Sequence, residues 1–574
     1  MIEMKLKEKP FKMIKNGKKT IEMRLYDEKR RNIKINDIIE FTSLGNGEKI
    51  LTKVINLHIF NSFDELYKKF DKVSLGYNKN EKCDPSDMEK YYSKEEQLEN
   101  KVVGIEIKLI EGEIKMDVKD LFQGIEKYEG KKVTLEGWVR NNRNQSNFGF
   151  IDFNDGTYFQ SLQLVYDKEL KDFDKISKIR VGSAIKAEGT IIKSEGTGQS
   201  HEMKVESIEV LGDSPEDYPI QPKRHTREFL REVAYLRPRT NLFNAVFRVR
   251  SVAAQAIHEY FQSHNYVYFH SPIITGADCE GSGQMFNITT LDLNNLPKDD
   301  EGKVDYKKDL FGKKTYITGS GQLHGETFAL AYKKIYTFGP TMRTENSNTK
   351  THANEFWMIE PEIAFCDING VMDIEEEMLK FIIDYVMTRC PLEMEFFDKF
   401  VEKGLIEKLN KVKTSKFVRI THHDAISLLK KAKVKWEFEP NYGEDIAKEH
   451  EKYITEYYDG PVFIKDWPKD IKAFYMKVNP DGKTVAGVDL EVPGAGELIG
   501  GSQREDDYEV LIKRMKEMNI PEEGLTWYTN LRRFGGCYHS GFGLGFERLI
   551  MYLTGIENIR DVIPYPRTPN NCDY

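Results

Sequence analysis

Apolar and polar positions divide the chain into three stretches. In residues 1–113, alternation is clearest at Lys101-Val102-Val103-Gly104-Ile105-Glu106-Ile107-Lys108-Leu109-Ile110, where a period of two predicts a strand. Ile38-Ile39-Glu40-Phe41 predicts another, and the polar run over 78–99 predicts a loop. Residues 118–213 carry five short strand patterns, at 133–139, 148–153, 161–165, 184–192 and 203–210. Turn signals part them at Asn154-Asp155-Gly156 and Ser194-Glu195-Gly196-Thr197-Gly198. That density of strands predicts a small barrel or sandwich. A proline-rich linker over 213–222 leads into the third stretch, 223–574, which mixes periods. Apolar residues at 246, 249, 253, 257 and 260/261 mark a helix face, and strand-like runs lie at 316–318, 335–338, 356–359, 473–478 and 485–490. The fold class expected is α+β in three domains, 1–113, 118–213 and 223–574.

Composition removes several classes. The 574 residues are 39% hydrophobic and 31% charged, a globular balance, and no run approaches the roughly 18 apolar residues of a membrane helix. The first nine residues lack a secretory apolar core, so a cytoplasmic protein is expected. Six scattered cysteines without a Cys-x-x-Cys pair argue against structural zinc or a disulfide framework. The net charge of −8 excludes a generic basic nucleic-acid coat, yet residues 1–31 hold eleven Lys/Arg against five acids. That excess is either a polyanion site or a solvated lysine-rich face.

Candidate chemistry concentrates in the third stretch. There is no Gly-x-x-x-x-Gly-Lys-Ser/Thr loop. Gly541-Phe542-Gly543-Leu544-Gly545 leads into a helical run with Arg548 in its first turn, which suits either a phosphate grip or a tight strand-to-helix turn. In Phe338-Gly339-Pro340-Thr341-Met342-Arg343-Thr344-Glu345 a strand ends with Arg and Glu two apart. A polar loop through Thr351-His352 follows, and a strand returns at Glu355-Phe356-Trp357-Met358-Ile359-Glu360-Pro361-Glu362. An Arg can hold a phosphate while a carboxylate accepts from an adenine amine.

In this order the segments resemble the three motifs of the class II aminoacyl-tRNA synthetases, in the subgroup charging aspartate, asparagine and lysine. The first corresponds to the helix ending before Asn265-Tyr266-Val267-Tyr268-Phe269-His270-Ser271-Pro272. Within the subgroup the likeness is to the asparagine-charging members. It rests on Asp278-Cys279-Glu280-Gly281, Ser320-Gly321-Gln322-Leu323-His324, Glu345-Asn346-Ser347-Asn348-Thr349, Gly500-Gly501-Ser502-Gln503-Arg504-Glu505 and Pro564-Tyr565-Pro566-Arg567-Thr568-Pro569. The resemblance covers roughly residues 118–574. It implies an antiparallel catalytic sheet flanked by helices, an anticodon-binding OB barrel before it, and a homodimer through the first motif.

It also implies roles and partners: ATP as substrate with Mg²⁺, L-asparagine, and tRNA(Asn). Arg343 is expected on the α-phosphate, Glu345 on the adenine amine, Arg548 on the γ-phosphate, and His352 and Gly545 beside the nucleotide. Asp489 and Glu497 are expected to hold Mg²⁺. Glu280, Gln322, Glu360 and Arg504 are expected around the amino acid. In the barrel, Phe150 and Gln163 match positions that stack on and hydrogen-bond an anticodon base. Two departures stand out: Thr351-His352 replaces a frequent Arg-His, with Lys350 as a substitute cation, and Gln284 replaces a frequent Glu. Residues 1–113 resemble an ASCH domain through Gly17-Lys18-Lys19-Thr20-Ile21-Glu22-Met23-Arg24, which implies RNA binding. The alternative to asparagine is aspartate. Against it, relatives that bind a carboxylate place Lys where this chain has Gly325, although His324, if charged, could partly replace it.

Overall fold

The computed structural model describes residues 2–110, 114–196, 198–277, 285–347 and 349–574, and the chain divides into two units, Met1–Pro222 and Lys223–Tyr574. The first unit opens with a five-stranded sheet of β1 (Ile2–Leu6), β2 (Ile21–Leu25), β3 (Ile38–Ser43), β4 (Lys49–Phe60) and β5 (Val102–Leu109), in the order β1-β3-β4-β5-β2. The alternation read at 101–110 is there because Val103, Ile105 and Ile107 face a core with Phe11, Ile39, Phe41 and Val54. The run 78–99 is not wholly loop. Ser93 and Glu96 form a reciprocal capping box that starts a helix over Lys94–Asn100. The basic excess of residues 1–31 is also partly neutralised by acids from farther along the chain: Glu81 meets Lys9 at 2.7 Å and Glu48 meets Lys15. Lys19 is turned inward, 3.4 Å from the buried Glu22, whose other oxygen holds Arg24 at 2.8 Å.

The barrel follows in the same unit: β6 (Lys132–Asn144), β7 (Phe148–Asn154), β8 (Leu162–Asp167), β9 (Ala184–Lys193) and β10 (His201–Gly212). It closes as a ring β6-β7-β8-β10-β9-β6, with β8 and β10 parallel. Inward residues of every strand fill it, among them Leu135, Ile151, Phe153, Leu164, Ile185 and Met203. Ile38 and Leu51 of the first sheet pack on this core, and Glu40 lies between Lys49 at 2.7 Å and Lys131 at 3.4 Å.

The second unit is built on helix α1 (Asn241–Ser263), edge strand β11 (Val267–Tyr268), helix α2 (Gln322–Tyr332), strands β12 (Lys334–Met342) and β13 (Glu355–Ala364), and helix α3 (Ile368–Arg389). Then come β14 (Val418–Thr421), β15 (Val462–Pro468), β16 (Thr484–Val492), β17 (Gly496–Gln503), helix α4 (Thr526–Arg533), β18 (His539–Gly545) and helix α5 (Phe546–Thr554). The eight strands form one sheet, β11-β12-β13-β18-β17-β16-β15-β14, antiparallel except at its two outer pairs. The stripe read at 246–261 is buried, with Val246, Val249, Ala253, Ile257 and Phe261 fully covered. Residues 473–478 do not form a strand. Only Met476 and Val478 make isolated bridges, to Arg504 and Val485, and the segment turns so that Phe474 packs inward while Tyr475 is only half-buried. No helix of the described residues is long and apolar enough to cross a membrane.

Behind the sheet, Glu375 of α3 is 0% exposed, neither of its carboxyl oxygens has a hydrogen-bond partner, and its Oε1 would lie 2.8 Å from a Cβ on Gly501. Burial raises its pKa well above the usual carboxylate range, with the Asp489 charge adding to the effect. The fold therefore keeps a proton that the unfolded chain releases near pH ~4.3, so stability is lost as pH rises from there towards the folded pKa. Glu375→Met, which fills the same space without a carboxyl, is expected to raise the melting temperature by a few degrees at about pH 8 and by less at about pH 5. Thermal denaturation followed by circular dichroism checks this; a variant melting below its parent at the higher pH contradicts it.

Candidate active site

A cavity of about 370 Å³ opens on the sheet of the second unit. Ten of the catalytic-stretch residues named from the sequence line it; the eleventh, Glu280, lies outside the described residues, as does Gln284. Arg343 and Glu345 stand just past the end of β12, not within it, and the intervening loop brings His352 back to 3.8 Å from the Glu345 carboxylate. The Arg343 guanidinium lies 5.5 Å from the centroid of the Phe356 ring, another wall of the cavity. Gly545 ends β18, and Arg548 follows in the first turn of α5, 3.5 Å from Glu497. Lys350, the candidate substitute for the missing loop arginine, pairs on the surface with Glu557 at 3.1 Å and is not among the cavity-lining residues, whereas Thr351 is.

Asp489 on β16 and Glu497 on β17 converge. A Cβ on Gly500, opposite Asp489 in the register, would sit 3.1 Å from Glu497 Oε1 and 3.5 Å from Asp489 Oδ1. Glycine there keeps the space between two carboxylates open. The other Asp489 oxygen is held at 2.6 Å by Lys472, a cavity cation delivered by the turn before residue 473 and missed in the strand pattern. Burial, opposed by Lys472 and reinforced by Glu497, pushes the Asp489 carboxyl up to about 6. Burial beside Glu497 likewise raises Glu451 to about 7. Among the described residues no three acidic, His or Cys side chains form a metal cage. Two hard carboxylates over a glycine nonetheless fit a cation that completes its shell with phosphate oxygens and water, as Mg²⁺ does.

At the other end of the cavity are Gln322, Glu360 and Arg504. Glu360 is 6% exposed, and its carboxylate accepts from the Ser320 hydroxyl, from Gly321 N–H at 2.8 Å and from the Thr337 hydroxyl at 3.2 Å. Arg504 forms a bidentate pair with Glu362, at 3.1 and 2.5 Å, and donates to Ser502 at 2.6 Å. Burial alone would lower the Arg504 pKa, but Glu362 outweighs it and raises it further. His324 is stacked on Trp527 at 5.0 Å between ring centroids, outside the cavity lining, and burial lowers its pKa.

On the barrel of the first unit, Phe150 and Gln163 both face outward, since the core side of β7 and β8 belongs to Ile151, Phe153, Leu162 and Leu164. Arg143 lies 5.6 Å over the Phe150 ring and 3.4 Å from the Gln163 carbonyl oxygen, while the Gln163 amide donates to Glu202 at 3.1 Å. Arg143 and Glu202 went unnoticed in the sequence because each is far from its partners along the chain.

The family description "tRNA synthetases class II (D, K and N)" matches residues 226–569, "OB-fold nucleic acid binding domain" residues 133–211, and "ASCH domain" residues 4–111. The asparagine–tRNA ligase of Acholeplasma laidlawii is 56% identical over 458 residues, 79% of this chain and 99% of the relative. That of Clostridium tetani is 53% identical over 461 residues, 80% and 100% of the two chains. Among solved structures, asparaginyl-tRNA synthetase of Pyrococcus horikoshii complexed with asparaginyl-adenylate superposes with a TM-score of 0.68 at 31% identity, covering 78% of this chain and 97% of that one. The Entamoeba histolytica enzyme in complex with asparaginyl-adenylate gives 0.67 at 26%, with the same coverage.

The arrangement of charges under the cavity depends on a missing side chain. Gly541 of β18 lies opposite Glu362 in the register, and a Cβ there would meet Glu362 Oε1 at 2.3 Å. Gly541→Ala must displace the carboxylate and disturb its pair with Arg504, at a cost of about 3–5 kcal/mol if the pair is broken. A clear fall in melting temperature is expected. An alanine variant as stable as its parent would show that Glu362 is not held where it is described.

Proposed function

The chain belongs to the class II tRNA synthetases of the aspartate, lysine and asparagine group, and we propose that it is an asparagine–tRNA ligase that activates L-asparagine with ATP and transfers it to tRNA(Asn). One observation carries the choice of amino acid. Glu360 presents a carboxylate pinned by three donors, beside an Arg504 whose charge Glu362 already balances. A side-chain amide satisfies both groups, donating its NH₂ to Glu360 and accepting from Arg504. A side-chain carboxylate would face Glu360 at close range and be repelled. Gly325 offers no side chain to neutralise it, and Lys472 is engaged by Asp489.

The chemistry needs no nucleophile from the protein. The asparagine carboxylate attacks the α-phosphorus in line and pyrophosphate leaves; the terminal ribose hydroxyl of the tRNA then attacks the carbonyl carbon and AMP leaves. The protein's part is to position and to neutralise charge. In this reading Arg343 holds the α-phosphate, Arg548 the γ-phosphate, and Glu345 with His352 the adenine edge, with Gly545 leaving room for the nucleotide. Asp489 and Glu497 would hold Mg²⁺, which would supply positive charge against the phosphates. Glu280 is assigned to the ammonium of the amino acid. Phe150 stacks on a splayed anticodon base, and Gln163 reads its edge.

An apolar patch supports a homodimer. It comprises β11 with Val267, then Ile273 and Ile274, and a ring stack in which Phe328 lies 4.0 Å from Phe269 and 5.8 Å from the exposed Tyr332. The N-terminal domain is proposed to contact RNA as well, since residues 1–110 keep 23 Lys/Arg against 19 Asp/Glu and the domain is docked on the barrel that reads the anticodon. We propose the cytoplasm as its compartment.

Amino-acid-dependent exchange of pyrophosphate into ATP tests the reading directly. The wild type is expected to use asparagine with a far higher kcat/KM than aspartate, and Glu360→Ala to lose the preference mainly through KM for asparagine. Equal or better use of aspartate by the wild type overturns the assignment. Arg548→Ala is expected to slow the same exchange by about 10²–10³-fold while leaving tRNA affinity nearly unchanged. Exchange at the parent rate would remove Arg548 from the phosphate site.

A further inference from the structure

Glu326, one turn along α2 from Gln322, is 0% exposed, and donors from three elements saturate its carboxylate. Oε1 accepts from Gln322 Nε2 at 3.2 Å and from the Tyr528 hydroxyl at 2.9 Å. Oε2 accepts from Arg532 Nη2 at 2.8 Å and from His539 Nε2 at 2.9 Å. Tyr528 and Arg532 lie on α4, and His539 begins β18. Burial alone would raise the Glu326 pKa, but the Arg532 charge and the His539 bond outweigh it and hold the carboxyl well below its usual range. A permanent anion thus sits directly behind the amino-acid end of the cavity.

Gln322 lines that end, and an amide can turn either its NH₂ or its carbonyl to a ligand. One Nε2 hydrogen is given to Glu326, and this holds the amide in the orientation that leaves its carbonyl oxygen, an acceptor, for the cavity. We infer that Glu326 is a positioning residue: it fixes the Gln322 amide so that the cavity presents an acceptor to the α-ammonium group of the amino acid. This rests on the reading that the cavity activates asparagine. Glu326 touches no substrate and acts only through Gln322.

The geometry dictates what a neutral replacement does. In Glu326→Gln the single carbonyl oxygen must occupy the Oε2 position, because Arg532 and His539 both donate there. The new NH₂ then takes the Oε1 position and faces Gln322 Nε2, donor against donor. Gln322 relieves this by turning over, which puts its own NH₂ towards the substrate ammonium. Adding Gln322→Glu restores an acceptor: one carboxylate oxygen takes the new NH₂ and the other faces the cavity. The paired exchange also keeps the total charge of the region.

Pyrophosphate exchange with purified full-length protein tests this, using succinamic acid, which is asparagine without its amino group, as a competitive inhibitor. Glu326→Gln is expected to raise KM for asparagine by about 10- to 100-fold, the worth of one hydrogen bond to a charged group, with KM for ATP unchanged. Inhibition by succinamic acid should stay near the wild-type value, and the Glu326→Gln/Gln322→Glu variant should recover most of the asparagine KM. A single variant whose asparagine KM stays within about twofold of the parent overturns the inference, as does a folded double variant that recovers nothing. If the single variant does not fold, the double variant decides alone: a near-parental KM supports the positioning role and a raised one refutes it. A wild type that does not use asparagine would instead overturn the functional reading on which this rests.

Discussion

Glu362 and Arg504 meet beneath the cavity in a two-bond pair, 0% and 3% exposed. Charges buried this deeply are tolerated only together, because removing one leaves the other desolvated and unpaired. Much of the second unit answers to that requirement. β13 brings in Glu362, the residue after β17 brings in Arg504, and β18 passes between them with a glycine at 541. A second anion, Glu326, stands beside the pair with Arg532 and His539 around it. The floor of the cavity is thus a layer of paired charges and not an apolar core. Such a layer holds orientations that apolar packing could not hold.

The cavity above is polarised along its length. Arg343 and Arg548 gather positive charge where phosphates are expected. Asp489 and Glu497, with Glu451 behind them, gather negative charge, and burial, reinforced by the Glu497 charge, raises the Asp489 and Glu451 carboxyls above their usual range. At the Gln322 end the Arg504 charge is already balanced by Glu362, and what lines the cavity are directed hydrogen-bonding groups: a pinned carboxylate, a pinned amide and an engaged guanidinium. In the proposed reading, phosphates are recognised by net charge and the amino acid by the direction of donors and acceptors.

The first unit shows the same economy at lower stakes. Its barrel turns Phe150 and Gln163 outward because the strand period assigns their neighbours to the core. The N-terminal sheet is seated on the barrel by Ile38, Leu51 and the Glu40–Lys131 contact. The dense positive charge counted over residues 1–31 is thinner in space, since Glu48 and Glu81 fold back onto it.

Short-range regularities were legible in the sequence alone. The five barrel strands, the buried face of α1, the strand–loop–strand around Arg343, and the glycine run before Arg548 all follow from period, turn chemistry and motif order. Each is set by neighbours within a few positions. Tertiary structure decided what depends on residues far apart. It placed Lys472 against Asp489 by turning 473–478 out of the strand its sequence suggested, and it paired Lys350 with Glu557. It withdrew His324 onto Trp527, and it joined Gln322 to a charge network drawn from α4 and β18. A linear pattern records which face a side chain occupies. Which partner that face meets depends on the register and stacking of distant strands and helices, and the roles of Lys472, Glu202 and Glu326 arise there.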